Sequence, residues 1–398
     1  MDQLNILVIS DLHVGLTHED ECDTKLIVNG TPNVYGEALI AYIQKLNRKI
    51  DLLVCTGDIG NKGCSQSFSA GWKYLKKVAN DLNINCMLCV PGNHDHQSRP
   101  LDDSNPNGFS PKHGLQFIDP PFPFDDFNKN THFWAWNWEL TISEHYNCIS
   151  LNSSAYHGFG SEFKHGRIAL EVSDQIKNRL SQADIHSKPF NILLCHHHPQ
   201  KMDYVDSKYD GEAMEGADYL LRQLENADIG PWLIIHGHKH YATIGYGNAH
   251  TSTPPTILSA GSLSAVLYDS IKERTSNQFY ILNIDVEKSS ANGKVVGSFE
   301  TYEANRLNQW QPSKSQNLPA RGGFGSLYTP EQIIFHLNQK INKDNSFLEG
   351  DELDEFKEKT FNLPPFELSR LDKLLVKQGF ELTRDSSDEI IEVGKRYE

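Results

Sequence analysis

Short apolar runs that end on polar, metal-binding residue types are the feature that most constrains this chain. NILVIS (5–10), DLLVCT (51–56) and INCMLCV (84–90) each have the length of a buried strand, and helical apolar patterns at 35–48 and 66–82 separate them. Continuous apolar strands joined by helices are typical of a largely parallel sheet that is covered on both faces. The N-terminal part of the chain therefore predicts an α/β fold.

The same alternation continues as far as Pro312. Further strands are predicted at HFWAWNWEL (132–140), NCISLN (147–152), NILLC (191–195), PWLIIH (231–236), 256–260, 278–286 and 294–302, with helices at 172–182 and 213–226. On the first of these strands Trp134, Trp136 and Trp138 alternate onto one face, which favours a packed core face over a surface for stacking a nucleobase. Residues 100–130, rich in Pro, Asp and Asn, are predicted to form a long loop that walls the site.

The chain changes character after residue 312, where the predicted catalytic domain, residues 1–312, ends. Residues 313–325 (SKSQNLPARGGFG) have the composition of a linker. Residues 326–398 show three helical patterns followed by a hairpin pattern, which predicts a small helical, winged-helix-like module. From residue 313 onward, 12 Lys and Arg stand against 16 Asp and Glu, a net charge of −4. This charge favours a module that binds a protein partner or self-associates over one that reads DNA.

The composition limits where the protein works and what it binds. A formal net charge of −15 argues against a nucleic-acid binder, although bound cations would reverse the sign locally. The apolar run at the N-terminus is too short for a signal peptide or a membrane span. Cys86 and Cys89 lie inside an apolar strand, which favours reduced, structural thiols. We therefore expect a cytoplasmic protein that does not associate with a membrane.

Five polar segments lie at the ends of predicted strands and carry the candidate chemistry. They are Asp11 with His13, Gly57-Asp58, Gly92-Asn93-His94-Asp95, His196-His197-His198 and Gly237-His238-Lys239-His240. In open α/β sheets, ligands bind outside the carboxyl ends of the strands, so these segments are expected to converge. Each segment alone is a weak signal, but five of them in this order are not expected by chance.

The residue types in these segments suit divalent cations. Carboxylate, amide oxygen and imidazole groups bind ions such as Mn²⁺, Fe²⁺ and Zn²⁺. Asp58 is the natural bridge, since one carboxylate can hold two ions. Two ions about 3.5–4 Å apart can clamp a phosphoryl group and activate a water molecule for in-line attack. The pattern therefore predicts a phosphoesterase with two divalent ions, of which Mn²⁺ is our first choice.

In these five segments the sequence resembles the calcineurin-like metallophosphoesterase superfamily. The family pattern of Asp-x-His, Gly-Asp, Gly-Asn-His-Asp/Glu, His and Gly-His-x-His is present as SDLHVG, TGDIG, PGNHD, CHHHP and HGHKH. The resemblance implies an α/β fold with a two-sheet sandwich flanked by helices, to which the C-terminal module adds a small α+β appendage. It also implies the ligand sets of both metals: Asp11, His13, Asp58 and His240 for the first, and Asp58, Asn93, His196 and His238 for the second.

The resemblance also implies roles beyond the ligands. His94 corresponds to the family's general acid, which protonates the leaving oxygen, and Asp95 is a candidate for orienting that region. His196 is favoured as the ligand over His197 because it directly follows its strand, and His197 stays the alternative. The segment after Asp58 lacks the tyrosine of purple acid phosphatases, so a ferric site is not expected.

The substrate is the least constrained part of the prediction. The region between the third and fourth motifs is similar to that of cyclic-nucleotide phosphodiesterase-like members, which predicts a phosphodiester substrate of the nucleotide type. SDLHVG is also similar to the opening of the Mre11 and SbcD nucleases, so a DNA or RNA nuclease is one alternative. The other alternative is a scaffold or complex subunit that acts through its C-terminal tail.

Overall fold

Two large β-sheets and a separate C-terminal unit make up the part of the chain that the computed structural model describes, residues 3–98, 110–202, 213–248, 253–315, 317–385 and 390–395. The strands are β1 (Gln3–Ile9), β2 (Val28–Asn29), β3 (Thr31–Pro32), β4 (Leu52–Cys55), β5 (Met87–Cys89), β6 (Trp138–Ile142), β7 (Tyr146–Leu151), β8 (Phe190–Leu194), β9 (Trp232–His236), β10 (Thr243–Tyr246), β11 (Thr256–Ser259), β12 (Gln278–Asp285), β13 (Gly297–Ala304), β14 (Trp310–Pro312), β15 (Arg321–Phe324), β16 (Phe380–Arg384) and β17 (Ile390–Lys395). The α-helices are α1 (Val34–Lys45), α2 (Ser65–Asp81), α3 (His113–Gln116), α4 (Phe127–Trp136), α5 (Leu170–Leu180), α6 (Ala217–Asn226), α7 (Val286–Asn292), α8 (Pro330–Lys340), α9 (Gly350–Phe361) and α10 (Pro365–Lys377).

Each large sheet contains a run of adjacent parallel strands. The first sheet runs in the order β14-β13-β12-β1-β4-β5, with β15 also paired to β13, and β1, β4 and β5 are parallel. The second sheet runs in the order β10-β11-β9-β8-β7-β6, and β11, β9, β8 and β7 are parallel. The parallel strands follow from the βαβ alternation of the sequence. The antiparallel strands β12–β15 make the first sheet mixed.

The two sheets pack face to face, and helices cover their outer faces. Side chains such as Ile6 and Val8 on β1 and Ile192 and Leu194 on β8 share one buried core between the sheets. Helices α1 and α2 cover the other face of the first sheet, and α5 and α6 cover the second. Because apolar side chains point to both faces of each central strand, these strands are mostly apolar and do not alternate between apolar and polar residues. The predicted α/β two-sheet sandwich flanked by helices is confirmed.

The predicted strand at 132–140 is wrong in its first half. Residues up to Trp136 form helix α4, and only the segment from Trp138 onward is a strand. The Asp126 side chain caps the helix by accepting a hydrogen bond from the Lys129 amide at 2.9 Å, and Asn137 ends it in a left-handed conformation, φ 64°. Trp134 and Trp136 therefore do not share a strand face with Trp138. Trp134 and Trp138 are buried in separate cores, whereas Trp136 is 49% exposed.

Parts of the predicted 100–130 loop are helical, since α3 and the start of α4 lie within it. Residues 100–109 of the predicted loop lie outside the described residues, and so does that part of the predicted wall of the site.

The segment expected to be a linker, residues 313–325, contains strand β15. Its residues pair in antiparallel register with β13, from Arg321 opposite Glu300 to Phe324 opposite Gly297. Leu318 and Phe324 are fully buried in the core between the sheets. The first sheet therefore extends to residue 324, beyond residue 312. The division of the chain into a catalytic domain and a C-terminal module stays a prediction.

The C-terminal unit has a hydrophobic core of its own. Helices α8, α9 and α10 and the hairpin β16–β17 bury Leu337, Phe356, Leu371 and Val393 together with seven other apolar side chains. Helix α8 begins with a capping box between Thr329 and Gln332, a signal that is readable in the sequence. None of the described helices is long and apolar enough to cross a membrane.

Candidate metal centre

The predicted ligands come together where five parallel strands of the two sheets end. Asp11, Asp58 and Asn93 follow β1, β4 and β5 of the first sheet. His196 follows β8, and His238 and His240 follow β9, both in the second sheet. The predicted convergence is therefore observed, and it joins the two sheets at one edge of the sandwich.

Five of the seven predicted ligands have a left-handed backbone. The φ angles of Asp11, His13, Asp58, His238 and His240 lie between 45° and 75°. Such conformations cost about 1–3 kcal/mol each for residues other than glycine and cluster at functional sites. Backbone hydrogen bonds hold them here, among them Asp11 N–H to the Gly57 carbonyl at 3.0 Å and His13 N–H to the Asp58 carbonyl at 2.9 Å.

Glycines let the carboxylates approach the neighbouring loops. A Cβ atom on Gly92 would collide with the Asp58 carboxylate and backbone amide, and one on Gly237 would collide with the Asp11 carboxylate. The glycines of the third and fifth segments thus make room for carboxylates that belong to the second and first. Any larger residue at Gly92 or Gly237 would displace one of these carboxylates.

The first half of the centre contains the four predicted ligands of the first metal. Asp11, His13, Asp58 and His240 are buried, and one potential ligand atom from each lies within 4.8 Å of all the others. The Nε2 atoms of His13 and His240 are 3.1 Å apart. His13 Nε2 lies 3.5 Å from Asp58 Oδ2, and His240 Nε2 lies 3.3 Å from Asp11 Oδ1. These nitrogen and oxygen atoms face a common centre.

The second half of the centre meets the first at Asp58. His196 Nε2 is 3.3 Å from Asp58 Oδ2 and 2.9 Å from Asn93 Oδ1. His238 Nδ1 lies 3.0 Å from the same Asn93 oxygen. Asp58 Oδ2 therefore lies between a histidine of each half, the position that a bridging carboxylate requires.

The neighbouring histidine His197 also lies in the second half. Candidate ligand atoms of His196, His197 and His238 are within 4.8 Å of one another. His196 Nδ1 bonds the Thr56 carbonyl at 2.8 Å, which fixes the ring and leaves Nε2 facing the centre. His197 Nδ1 contacts the Ser153 hydroxyl at 2.9 Å, and its buried Nε2 has no hydrogen-bond partner among the described residues. His196 stays the predicted ligand, with His197 as the alternative.

His94 and Asp95 occupy different environments. The His94 ring packs edge-on against His13 with centroids 4.6 Å apart, and its backbone N–H donates to Asp58 Oδ1 at 2.7 Å. The Asp95 carboxylate is buried and accepts hydrogen bonds from the amides of Gly60 at 2.6 Å and Gly92 at 2.8 Å. Asp95 thus joins the loops after β4 and β5. The predicted role of His94 as an acid remains a prediction.

Burial and mutual repulsion shape the titration of the site. Burial, with a contribution from His94, lowers the pKa of His13 to about 3, and burial also lowers the pKa of His94. Burial acts to lower the pKa of His196 as well, but the charges of Asp58 and Asp11 outweigh it and raise that pKa to about 9. Burial and the charge of Asp58 raise the pKa of Asp95 to about 8. The carboxylates of Asp58 and Asp11 therefore favour positive charge at this place in the protein.

The donor set fits divalent cations. Asp11 and Asp58 are two fully buried carboxylates, and buried charges need a compensating charge or a metal. His94 Nδ1 and His240 Nδ1 are also buried without a hydrogen-bond partner in the described part of the chain. A centre with carboxylates, an amide oxygen and imidazole nitrogens matches the preferences of first-row divalent ions.

Several supporting residues escaped the sequence analysis. The Ser10 hydroxyl bonds both the Asp11 carboxylate and the Thr56 hydroxyl. His96 Nδ1 bonds the Gly92 carbonyl at 2.9 Å, and Ser153 bonds the backbone amides of both His196 and His197. The only signal for Ser10 and Thr56 is a hydroxyl at the end of an apolar strand; Ser153 lies far from the segments it supports.

A two-sheet sandwich that gathers these donors at its strand ends is the arrangement expected of a metal-dependent phosphoester hydrolase. More particularly, the sequence profile described as calcineurin-like phosphoesterase matches residues 4–242. The chain belongs to that family, and the resemblance is confirmed. The family and the two adjoining clusters indicate a centre for two divalent metals.

Individual relatives are distant. Over 261 residues the chain is 27% identical to a protein of Psychrobacter arcticus named "Probable cyclic nucleotide phosphodiesterase", covering 64% of this chain and 80% of that protein. A purple acid phosphatase from Lupinus luteus seeds is 13% identical with a TM-score of 0.45, covering 76% of this chain and 51% of its own. A dimetal phosphatase from Danio rerio is 12% identical with a TM-score of 0.42, covering 71% and 94%.

Proposed function

We propose that this protein hydrolyses a phosphodiester of the nucleotide type with the help of two divalent metal ions. The observation that carries the proposal is the position of Asp58 Oδ2, 3.5 Å from His13 Nε2 in one half of the centre and 3.3 Å from His196 Nε2 in the other. The similarity to a protein named "Probable cyclic nucleotide phosphodiesterase" supports a phosphodiester as the substrate.

The predicted ligands would form two sets, one for each ion. Asp11, His13, Asp58 and His240 would hold one ion, and Asp58, Asn93, His196 and His238 would hold the other. Two such ions supply charge neutralisation at the phosphoryl group and activation of the attacking water. Mn²⁺ is the ion that we propose, with Fe²⁺ and Zn²⁺ as the alternatives.

His94 would act on the leaving oxygen. Its backbone amide is fixed to Asp58, so the ring is held beside the first half of the centre. An imidazole in that place can donate an N–H to the oxygen that departs from phosphorus. Asp95 would keep His94 in place by tying the loop after β5 to the loop after β4 through Gly60 and Gly92.

A substrate panel with the Mn²⁺-loaded protein tests the proposed function. We expect turnover of bis-p-nitrophenyl phosphate and of cyclic nucleotides, and loss of both on metal removal with a chelator. The panel includes single- and double-stranded DNA and RNA, which test the nuclease alternative, and phosphoproteins. If only phosphoproteins or other monoesters are hydrolysed, the phosphodiester proposal is wrong while the family assignment stands.

We further propose that residues 326–398 bind a protein partner or self-associate and take no part in the chemistry. All the candidate ligands precede this segment, and it buries its own apolar core. Its contacts with the rest of the chain include the hydrogen bond from Lys294 Nζ to the Ser326 carbonyl at 3.2 Å and the packing of α10 on β10.

Truncation of the chain tests this second proposal, and the position of β15 determines where the truncated chain should end. A chain ending at Gly325 keeps β15 and should fold, bind two metals and hydrolyse a small diester at the full rate. A chain ending at Pro312 removes the buried side chains of Leu318 and Phe324, each worth roughly 1.5–3 kcal/mol, and should be markedly destabilised. Thermal unfolding, metal content and sedimentation measure these effects. If the chain ending at Gly325 fails to fold or to hydrolyse the diester, the C-terminal segment belongs to the catalytic unit.

A further inference from the structure

An exposed tyrosine lies directly on one of the predicted metal ligands. The ring of Tyr268 stacks on the ring of His240, with centroids 5.5 Å apart and planes only 9° from parallel. These values describe an offset stack, a favourable arrangement for two aromatic rings. Tyr268 nevertheless remains 57% exposed. Because His240 covers one face of the ring, the exposed surface lies on the opposite face and the edge.

The segment that carries Tyr268, residues 260–277 between β11 and β12, is tied to the loop that follows β1. Val266 N–H donates to the Asp23 carbonyl at 2.8 Å, and the Ser262 hydroxyl donates to the Asp11 carbonyl at 2.6 Å. The carbonyl of Tyr268 accepts hydrogen bonds from the backbone amides of Ile271 at 3.0 Å and Lys272 at 2.9 Å, which form a local turn. The backbone of Tyr268 is thus fixed relative to Asp11, and its ring is held at the edge of the metal centre.

Packing alone gives little reason for this arrangement. Tyr35, for contrast, is buried in the core beside the first sheet and donates its hydroxyl to the Leu263 carbonyl. Tyr268 leaves more than half of its side chain in solvent while its ring covers a ligand of the centre. An aromatic surface open to solvent beside a phosphate-binding site is suited to a substrate with a planar group.

We propose that Tyr268 is a substrate-positioning residue whose outer face stacks on the nucleobase of the phosphodiester. The inference rests on the proposed function, because it assumes that the centre binds the phosphoryl group of a nucleotide. A nucleotide joins a phosphate to a planar base, so one ligand can fill the centre and lie against the tyrosine. Every base has an aromatic face, and stacking therefore selects for nucleotides without selecting among bases.

The test compares ligands with and without a base on the full-length, Mn²⁺-loaded protein. Binding of adenosine 5′-monophosphate and of inorganic phosphate is measured by calorimetry, and KM and kcat are measured for 3′,5′-cyclic AMP and for the dialkyl diester glycerophosphoethanolamine. Tyr268→Leu should weaken adenosine monophosphate binding and raise the KM for cyclic AMP roughly 5- to 150-fold, the range for loss of one base stack. Phosphate binding, the KM for the dialkyl diester and both kcat values should stay unchanged.

Two further variants make the test specific. Tyr268→Phe keeps the ring and should behave like the unmodified protein. Phe127→Leu removes an aromatic ring that is 80% exposed on α4, a helix packed on the edge strand β6. This variant should bind adenosine monophosphate and phosphate as tightly as the unmodified protein. Metal content and thermal unfolding of each variant show whether the His240 side of the centre is intact.

The outcomes separate this inference from the proposed function. If Tyr268→Leu weakens the binding of phosphate and of adenosine monophosphate equally, or lowers the metal content, the ring only supports His240 and the inference is overturned. The same follows if the unmodified protein binds adenosine monophosphate no more tightly than phosphate. If nucleotide binding depends on Tyr268 but no diester is hydrolysed, the inference holds and the proposed function fails.

Discussion

Replacing Asp58 with asparagine should remove metal from both halves of the centre and nearly abolish hydrolysis while the protein stays folded. The substitution removes the negative charge at the atom that lies between His13 and His196. Loss of residues that merely orient metal ligands costs about 10–100-fold in affinity or activity, so loss of the bridging charge should exceed 100-fold. Metal content per chain, kcat/KM and thermal unfolding measure the three effects.

The fold should survive because asparagine preserves what the backbone needs. Asp58 has φ 50°, a left-handed conformation that asparagine tolerates well. The amide oxygen of asparagine can still accept the hydrogen bond from the His94 backbone, which is 2.7 Å long in the native protein. Asp125→Asn, at a side chain that is 76% exposed and paired with Lys76, is the matched control. Full metal occupancy with near-normal turnover in Asp58→Asn would refute the bridging role.

Replacing His94 with alanine should slow substrates with poor leaving groups by about 10²–10⁴-fold, the usual contribution of general acid–base catalysis. An alkoxide leaving group needs a proton or a hydrogen bond as its bond to phosphorus breaks. A p-nitrophenolate leaves without that help, so its rate should fall far less. The measurement is kcat/KM for an alkyl diester and for a p-nitrophenyl diester under the same conditions.

The test depends on the difference between the losses of kcat/KM for the two substrates. Metal content must be unchanged, because the His94 ring packs on His13 and its removal could disturb that ligand. His186→Ala, at an exposed histidine just before β8, controls for the loss of an imidazole elsewhere. An equal loss on both substrates would show that His94 supports the metal centre and does not serve the leaving group.

The sequence by itself determined the chemistry of the candidate site. Asp11, Asp58, Asn93, His196 and the two histidines after β9 are predicted as ligands because their residue types suit divalent ions and because their segments match the family pattern, and both signals are local. Their position at strand ends followed from apolar runs of strand length, and their convergence followed from the rule for parallel sheets. The helices of the C-terminal segment were also predicted, since caps such as Thr329 and apolar periodicity act over a few residues.

What the sequence missed depends on contacts between distant segments. Helix α4 lies where alternating aromatic residues predict a strand, and the Asp126 cap at which the helix begins is visible only in the structure. The glycines of strand β15 predict a loop or linker, whereas pairing with β13 and burial of Phe324 stabilise the extended chain in the structure. Local composition is a weak guide wherever long-range pairing supplies the free energy.

Only the tertiary structure decided how the donors face one another. The left-handed backbones of Asp11 and Asp58 are strained, and they persist because hydrogen bonds between the loops after β1 and β4 hold them. The division of the ligands between two sheets, and the stacking of Tyr268 on His240 across 28 positions of the chain, likewise have no local signal. Residue types fix which atoms can bind a metal, whereas packing of remote strands and loops fixes the distances between those atoms.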